Sequence, residues 1–127
     1  MKTILVDAIH CFVIKWEWIF EQMYTLLETY PNPKVILTGA NDAEIVQHGL
    51  DAMPYPVFTL KHDPEKTDPL FYTTLLEKLW LDTQNVIYFE NGAAAVESAR
   101  SVGITTYHYD RDTKDLELLK QYLDSNL

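Results

Sequence analysis

Four chemically reactive side chains lie where apolar runs of the sequence end or shortly before a predicted helix. Asp7 closes the run TILVD, Thr38 closes KVILT, and Glu90 follows NVIYF. Lys66 lies in a polar segment before a helix predicted over residues 70–81. A carboxylate can attack phosphorus or bind a metal, and a lysine and a hydroxyl can hold phosphate oxygens. These residue types together indicate phosphoryl chemistry.

The elements that must position these side chains are predicted from the hydrophobic pattern. Short β-branched apolar runs, typical of strands buried on both faces, alternate with segments of helical period. This alternation predicts right-handed β-α-β crossovers and therefore an α/β fold, a three-layer Rossmann-like arrangement with a parallel five-stranded sheet between helices. Ligands of such sheets bind outside the carboxyl ends of the strands. The predicted strands cover residues 3–7, 34–38, 57–60, 85–89 and 104–109.

The first predicted helix depends on aromatic spacing. Phe12, Trp16 and Phe20 recur every four residues, which predicts an amphipathic helix over roughly residues 15–29. Trp18 falls off this stripe, and we expect it to be exposed. Exposed tryptophan is enriched at interfaces, so self-association into a homo-oligomer is an open alternative.

Composition limits the class of protein. A chain of 127 residues, 47% of them hydrophobic, predicts one domain over residues 1–127 with one shared core. The net charge of −9 repels nucleic-acid backbones and anionic membrane surfaces, so we expect neither as a partner. The opening apolar run is too short for a membrane span or a signal peptide. The single cysteine, Cys11, fits a reducing compartment, and we expect a cytoplasmic protein.

Four segments carry a family resemblance. The segment EKTDPLFYTTLLEKLWL, residues 65–81, has a lysine just before a proline-initiated helix, and VIYFENGAAAVESARSVGI, residues 86–104, has a glutamate before an alanine-rich helix. With VDAIHCF at residues 6–12 and VILTGAN at residues 35–41, their order and spacing resemble the four motifs of the haloacid dehalogenase-like (HAD) hydrolase superfamily. The resemblance covers nearly the whole chain and implies a sheet of strand order 3-2-1-4-5.

The resemblance implies a reaction and a role for each candidate residue. Asp7 would be the nucleophile that forms a phosphoaspartyl intermediate during hydrolysis of a phosphate ester. Thr38 and Gly39 would bind the phosphoryl group, and Lys66 would neutralise its charge and that of Asp7. The substrate would be a phosphorylated small molecule or a phosphorylated macromolecule.

The resemblance also implies a Mg²⁺ site. Its ligands would be Asp7, the backbone carbonyl of Ile9 and Glu90, with Asn91 assisting. These hard oxygens suit Mg²⁺. We expect the affinity to be weak.

The first motif departs from the family pattern at Ile9, where the family has the aspartate that protonates the leaving group and later activates water. A positioned acid–base group contributes about 10²- to 10⁴-fold in rate, so hydrolysis is predicted to be slow. His10 is a candidate replacement because its pKa lies near the operating pH. Cys11 is expected to be a small buried thiol. The remaining histidines, His48, His62 and His108, show no spacing typical of metal ligands.

Chain length leaves no room for a cap domain. The 30 residues between Asp7 and Thr38 and the 27 between Thr38 and Lys66 are used by predicted elements. We therefore expect a site open to solvent or covered by another chain, which suits a large substrate or a partner acting as a lid.

Three other classes of protein stay open as alternatives. The first is a catalytically inactive HAD-like binding or scaffold protein. The second is a dehalogenase, which also lacks the second aspartate but needs an apolar pocket from a cap. The third is a receiver domain of two-component signalling, which needs an acid pair after its first strand and a lysine after its fifth. Here one acid, Asp7, ends the first strand, and Tyr109 and Asp110 follow the fifth.

Overall fold

A computed structural model of the protein describes residues 1–15 and 17–127. The described residues form seven strands and five α-helices, joined by loops and two short 3-10 turns. In chain order the elements are β1 (Thr3–Asp7), β2 (Val13–Ile14), β3 (Trp18–Ile19), α1 (Glu21–Glu28), β4 (Lys34–Thr38), α2 (Asp42–Gln47), β5 (Val57–Thr59), α3 (Pro69–Lys78), β6 (Val86–Glu90), α4 (Ala93–Ser101), β7 (Thr105–His108) and α5 (Leu116–Asn126).

Five of the strands form one parallel sheet in the order β5-β4-β1-β6-β7, flanked by helices. The predicted α/β class with a five-stranded parallel sheet is therefore confirmed. The strand order is 5-4-1-6-7 and not the predicted 3-2-1-4-5, because β2 and β3 form a separate antiparallel hairpin that changes the number of every later strand. By sequence, the segments lie side by side as VFT, KVILT, TILVD, VIYFE and TTYH.

The helices cover both faces of the sheet because successive side chains of a buried strand point to opposite sides. Ile4 and Val6 of β1 pack in the cluster that holds the inner side chains of α1 and α5. Leu5, between them, packs with residues of α3 and α4 in a second cluster. All three side chains are completely buried, which explains why β1 reads as a continuous apolar run.

The prediction of a helix from residue 15 is wrong for the described residues before Glu21. Helix α1 begins at Glu21, and the chain before it makes the β2–β3 hairpin, in which Val13 pairs with Ile19. The amide of Phe20 donates to the carbonyl of Phe12 over 2.8 Å. The two aromatic residues are therefore opposite each other at the base of the hairpin, and their spacing does not come from a helix.

Trp16, placed on the predicted helix, lies outside the described residues. Trp18 is 60% exposed as predicted, although it lies in β3. Its indole ring covers Gly49, whose φ of +69° is a left-handed conformation that suits glycine.

The connections between the site strands are short. Between Asp7 and Thr38 the described residues form the hairpin and α1, and between Thr38 and Lys66 they form α2, a 3-10 turn and β5. Within residues 1–15 and 17–127, neither connection contains an inserted helical cap. The longest α-helix, α5, has 11 residues, and no helix of the described chain has the length and apolar content to cross a membrane.

Candidate active site

Three predicted site residues end three adjacent strands. Asp7 is the last residue of β1, Thr38 the last of β4 and Glu90 the last of β6. Because β1 lies between β4 and β6, the carboxyl ends of these strands meet at one edge of the sheet. The three residues are 3%, 4% and 3% exposed, so their polar groups must find partners inside the protein.

Lys66 reaches this edge from the loop between β5 and α3. Its ammonium contacts Oδ1 of Asp7 and lies 2.8 Å from Oε1 of Glu90 and 3.5 Å from the carbonyl oxygen of Leu37. The lysine side chain is 16% exposed and each carboxylate side chain 4%. One buried cation therefore serves two buried carboxylates, and the cluster has one more negative than positive group.

The second oxygen of each carboxylate also has a donor. Oδ2 of Asp7 accepts from the backbone amide of Asn91 over 3.3 Å and from the thiol of Cys11 over 3.5 Å. Oε2 of Glu90 accepts from the amide of Gly92 over 3.0 Å, and its Oε1 also accepts from the Tyr88 hydroxyl over 2.5 Å. Charge-assisted hydrogen bonds of this kind fix both carboxylates in place.

Burial and the shared lysine affect the two carboxyl groups differently. Burial raises the pKa of Asp7 well above its usual range, and Glu90 raises it further while the Lys66 ammonium acts in the opposite direction. Burial also acts to raise the pKa of Glu90, but Lys66 and the hydrogen bonds from Asp7, Lys66 and Tyr88 together lower it to about 2. Glu90 therefore stays ionised over the usual pH range, and Asp7 is the group that takes up a proton first.

Thr38 has a free hydrogen for a ligand. Its Oγ1 accepts from the amide of Ala40 over 3.1 Å, so the hydroxyl caps the turn after β4 through its oxygen. A hydroxyl that accepts a hydrogen bond in this way can still donate one. Gly39 follows it, and a Cβ at that position would point toward Glu65 and His62 at 3.5 Å and 3.6 Å, without a clash.

A cavity of about 320 Å³ lies over this edge of the sheet. Every residue predicted for the site lines it, as does His10, the predicted replacement acid–base group. Burial and the nearby cations Arg111, Lys15 and Lys114 lower the pKa of His10. Cys11 is fully buried beneath Asp7, as predicted, and burial raises the pKa of its thiol. The predicted site residues that line the cavity are Asp7, Ile9, Thr38, Gly39, Lys66, Glu90 and Asn91.

The predicted metal ligands meet at the Asn91 side chain. With its nitrogen toward the acceptors, the amide donates to Oε2 of Glu90 over 3.2 Å, to the carbonyl of Ile9 over 3.3 Å and to Oδ2 of Asp7. If the amide instead turned its oxygen toward these three acceptors, four oxygens would meet at one point and could bind a hard cation. The chemistry of this donor set fits Mg²⁺, while the Lys66 charge beside it lowers the expected affinity.

The set of oxygen donors around Asn91 includes an amide and a backbone carbonyl as well as two carboxylates. Among the described residues, no group of three or more His, Cys, Asp or Glu side chains is placed to hold a metal ion. A Mg²⁺ site here therefore has fewer anionic ligands than three carboxylates would supply, which again indicates weak binding.

Four residues at the site were not singled out by the sequence reasoning. Tyr88 was assigned only to a strand interior, and His62 was given no role. Glu44 and Glu65 line the cavity beside His62, at positions that a reading of strand ends does not cover. The one available signal was the position of Tyr88 two residues before Glu90, which places both side chains on the same face of β6.

Comparison with known proteins supports the fold, whereas the chemistry must be argued from the site. No protein-family model matches the chain, and no curated protein matches it. Among solved structures, the chain is similar to the crystal structure of an uncharacterized protein from Corynebacterium glutamicum, with a TM-score of 0.57 and 14% sequence identity. The similarity covers 94% of this chain and 93% of that chain. At this identity it shows a shared α/β fold, and function must be argued from the site.

Proposed function

We propose that the chain is a capless HAD-type phosphohydrolase that cleaves a phosphate ester through a phosphoaspartyl intermediate on Asp7. The observation that carries the proposal is the single Lys66 ammonium between the buried carboxylates of Asp7 and Glu90, at the floor of an open cavity. A carboxylate that attacks an anionic phosphate needs such a cation, because the reacting groups otherwise repel each other.

Each residue of the site has a defined task in this reaction. A carboxylate oxygen of Asp7 attacks phosphorus, while the Lys66 ammonium neutralises charge on both partners. The Thr38 hydroxyl donates to a phosphoryl oxygen, since its own oxygen already accepts from Ala40. The absence of a side chain at Gly39 keeps the space beside it open for the phosphoryl group. An open cavity also admits a phosphate carried on a large molecule.

Mg²⁺ is part of the proposal. Asp7, the Ile9 carbonyl and Asn91 would hold the ion together with Glu90, and the bound ion would supply positive charge that offsets the charge of the transferred phosphoryl group. Glu90 is kept ionised and oriented for this task by donors from Lys66, Tyr88 and Gly92.

The direct test measures Asp7-dependent turnover. The native chain, Asp7→Asn and Asp82→Asn are incubated with Mg²⁺ and either acetyl phosphate or para-nitrophenyl phosphate. Asp82 is an exposed aspartate whose side chain makes no capping hydrogen bond, so its variant is the matched control. We expect phosphate release and one added phosphoryl group, removed by hydroxylamine, in the native and control chains and neither in Asp7→Asn.

A second variant separates the enzyme from the inactive binding or scaffold alternative. Because Ile9 stands where the family has its acid–base aspartate, Ile9→Asp is expected to raise turnover by about tenfold or more. Equal turnover by native and Asp7→Asn chains, with no gain in Ile9→Asp, would instead favour a protein that uses the same anionic crevice only for binding.

A further inference from the structure

A second polar cluster, formed by Glu44, His62 and Glu65, borders the same cavity. Nε2 of His62 contacts Oε1 of Glu44, and its Nδ1 lies 2.8 Å from Oε1 of Glu65. Both ring nitrogens therefore face carboxylate acceptors, and both can donate only when the ring carries two hydrogens. The two contacts therefore favour the imidazolium form of His62.

The two carboxylates that contact the His62 ring differ in how well their own positions are fixed. Glu44 belongs to a capping box at the start of α2, where its Oε1 also accepts from the Asn41 amide over 3.1 Å. Glu65 lies in the loop, and its side chain is 54% exposed. We therefore expect Glu44 to keep its contact with Nε2 and Glu65 to be the partner that a ligand can displace from Nδ1.

Nδ1 is the ring nitrogen of His62 that borders the space beside Gly39. A Cβ built on Gly39 would lie 3.6 Å from Nδ1 and 3.5 Å from Oε2 of Glu65, so both groups border the space beside Gly39. Lys66 follows Glu65 directly in the same loop. A phosphate ester bound at Thr38 and Gly39 would therefore have His62 at its solvent side.

We propose that His62 is the acid–base catalyst of this site and takes the place of the family aspartate that Ile9 replaces. This inference rests on the proposed function. As the bond from Asp7 to phosphorus forms and the bond from phosphorus to the leaving oxygen breaks, Nδ1 gives its proton to that oxygen. The neutral imidazole then takes a proton from the water that attacks the phosphoaspartate, and Asp7 leaves as a carboxylate.

The surroundings of the two candidate histidines favour His62 over His10. Hydrogen bonds from Glu44 and Glu65 raise the pKa of His62, which outweighs the smaller effect of burial. The charged groups that face its ring are Glu44 on α2 and Glu65 in its own loop, and His48 at the end of α2 faces Glu44. His10 has its pKa lowered by burial and by cations, so it is the poorer proton donor near neutral pH.

The test compares leaving groups that need a proton with leaving groups that do not. His62→Asn is the variant of choice because His62 has a φ of +66°, a conformation that asparagine adopts readily. With glycerol phosphate, whose alkoxide must be protonated, turnover should fall about 10²-fold. With acetyl phosphate, phosphorylation of Asp7 should proceed within a few fold of the native rate, and the phosphoaspartate should then accumulate because water is no longer activated.

Two further variants complete the design. Asp82→Asn changes the exposed residue already used as a control, which lies outside the cavity lining, and is expected to leave both substrates unaffected. Glu44→Gln removes the carboxylate that holds Nε2, so it should move the alkaline limb of the glycerol phosphate pH profile to lower pH.

The outcomes separate this inference from the proposed function. An equal loss in the rate of Asp7 phosphorylation with both substrates, or no loss with either, overturns the role of His62 and leaves Asp7-dependent hydrolysis in place. If the native chain shows no Asp7-dependent turnover, both the role of His62 and the proposed function are overturned. A selective loss with glycerol phosphate together with a burst from acetyl phosphate supports the assignment.

Discussion

Nζ of Lys66 lies 2.8 Å from Oε1 of Glu90, and both side chains are largely shielded from water. The same ammonium contacts Asp7, so the two carboxylates compete for one cation. Their pKa values consequently move in opposite directions, with Asp7 raised and Glu90 lowered. Removing each negative charge should therefore change the free energy of unfolding with opposite sign.

Asp7→Asn is expected to stabilise the protein at neutral pH. A folded-state pKa raised above the usual value of 3.8 means that Asp7 stabilises the fold fully only at low pH, and that this contribution is lost as pH rises through the folded pKa. Without that ionisable group, the free energy of unfolding should rise by about 0.5–2 kcal/mol, the usual gain from one stabilising substitution. Urea unfolding between pH 5 and pH 9, about the usual working range, measures the gain, which should grow with pH. A loss of stability at the alkaline end would contradict the assignment.

Glu90→Gln is expected to destabilise the protein. The pKa of Glu90 falls from 4.5 to about 2, so its ionised form stabilises the fold above the unfolded-state value, and this contribution is lost as pH falls through the folded pKa. We expect a cost of about 3 kcal/mol at neutral pH, the low end for breaking a buried pair, because Asp7 still partners Lys66. A urea titration carried from neutral pH down to about pH 2 should show the difference from the native chain shrinking below pH 4.5, the unfolded-state pKa.

Tyr88 and Tyr72 form a matched pair for testing the hydrogen bond to Glu90. Both side chains are fully buried, but the Tyr88 hydroxyl donates to Oε1 of Glu90, whereas within the described chain the Tyr72 hydroxyl has no hydrogen-bond partner. Tyr88→Phe should cost about 1.5–3 kcal/mol, the range for a hydrogen bond to a charged group. Tyr72→Phe should be neutral or slightly stabilising, because it removes a buried group without a partner. Similar costs for the two variants would show that ring packing, and not the bond to Glu90, sets the stability.

The strand ends of the site could be predicted from sequence because each follows a buried apolar run. Asp7, Thr38 and Glu90 are polar residues directly after such runs, and parallel strands bring their ends together. Lys66 could be singled out only as a cation shortly before a predicted helix, since nothing in a loop sequence says which strand edge a side chain reaches. Its contact with two carboxylates depends on the path of the whole β5–α3 loop.

The hairpin and the histidine cluster could not be predicted for two different reasons. Phe12 and Phe20 are spaced as on a helix, yet they face each other across a hairpin, where residues equally far from the turn come together in pairs. Trp18, in the same hairpin, has a φ of +81°. A tryptophan in the sequence does not predict this left-handed conformation. Glu44 and His62 are 18 residues apart and meet only through the packing of α2 against the β5–α3 loop.

Asn91→Asp should tighten Mg²⁺ binding, because it changes the amide of the oxygen cluster into a third carboxylate beside Asp7 and Glu90. Ligand charge count is a main determinant of affinity for hard cations, and we expect a gain of about tenfold or more. Isothermal titration of MgCl₂ into the native chain and the variant measures it directly. Asn85→Asp is the matched control, since Asn85 is exposed in a 3-10 turn just before β6.

Unfolding provides a second measurement of the same site that does not depend on activity. Without metal, the added carboxylate of Asn91→Asp lies close to two others that already share one lysine, so the variant should be less stable than the native chain. Mg²⁺ binds the folded state and should raise the melting temperature of Asn91→Asp more than that of the native chain, following the ratio of ion concentration to Kd. Equal shifts in the two proteins and in Asn85→Asp would place the ion elsewhere, because Asn91, unlike the control position Asn85, lies against the carbonyl of Ile9 and the carboxylates at the ends of β1 and β6.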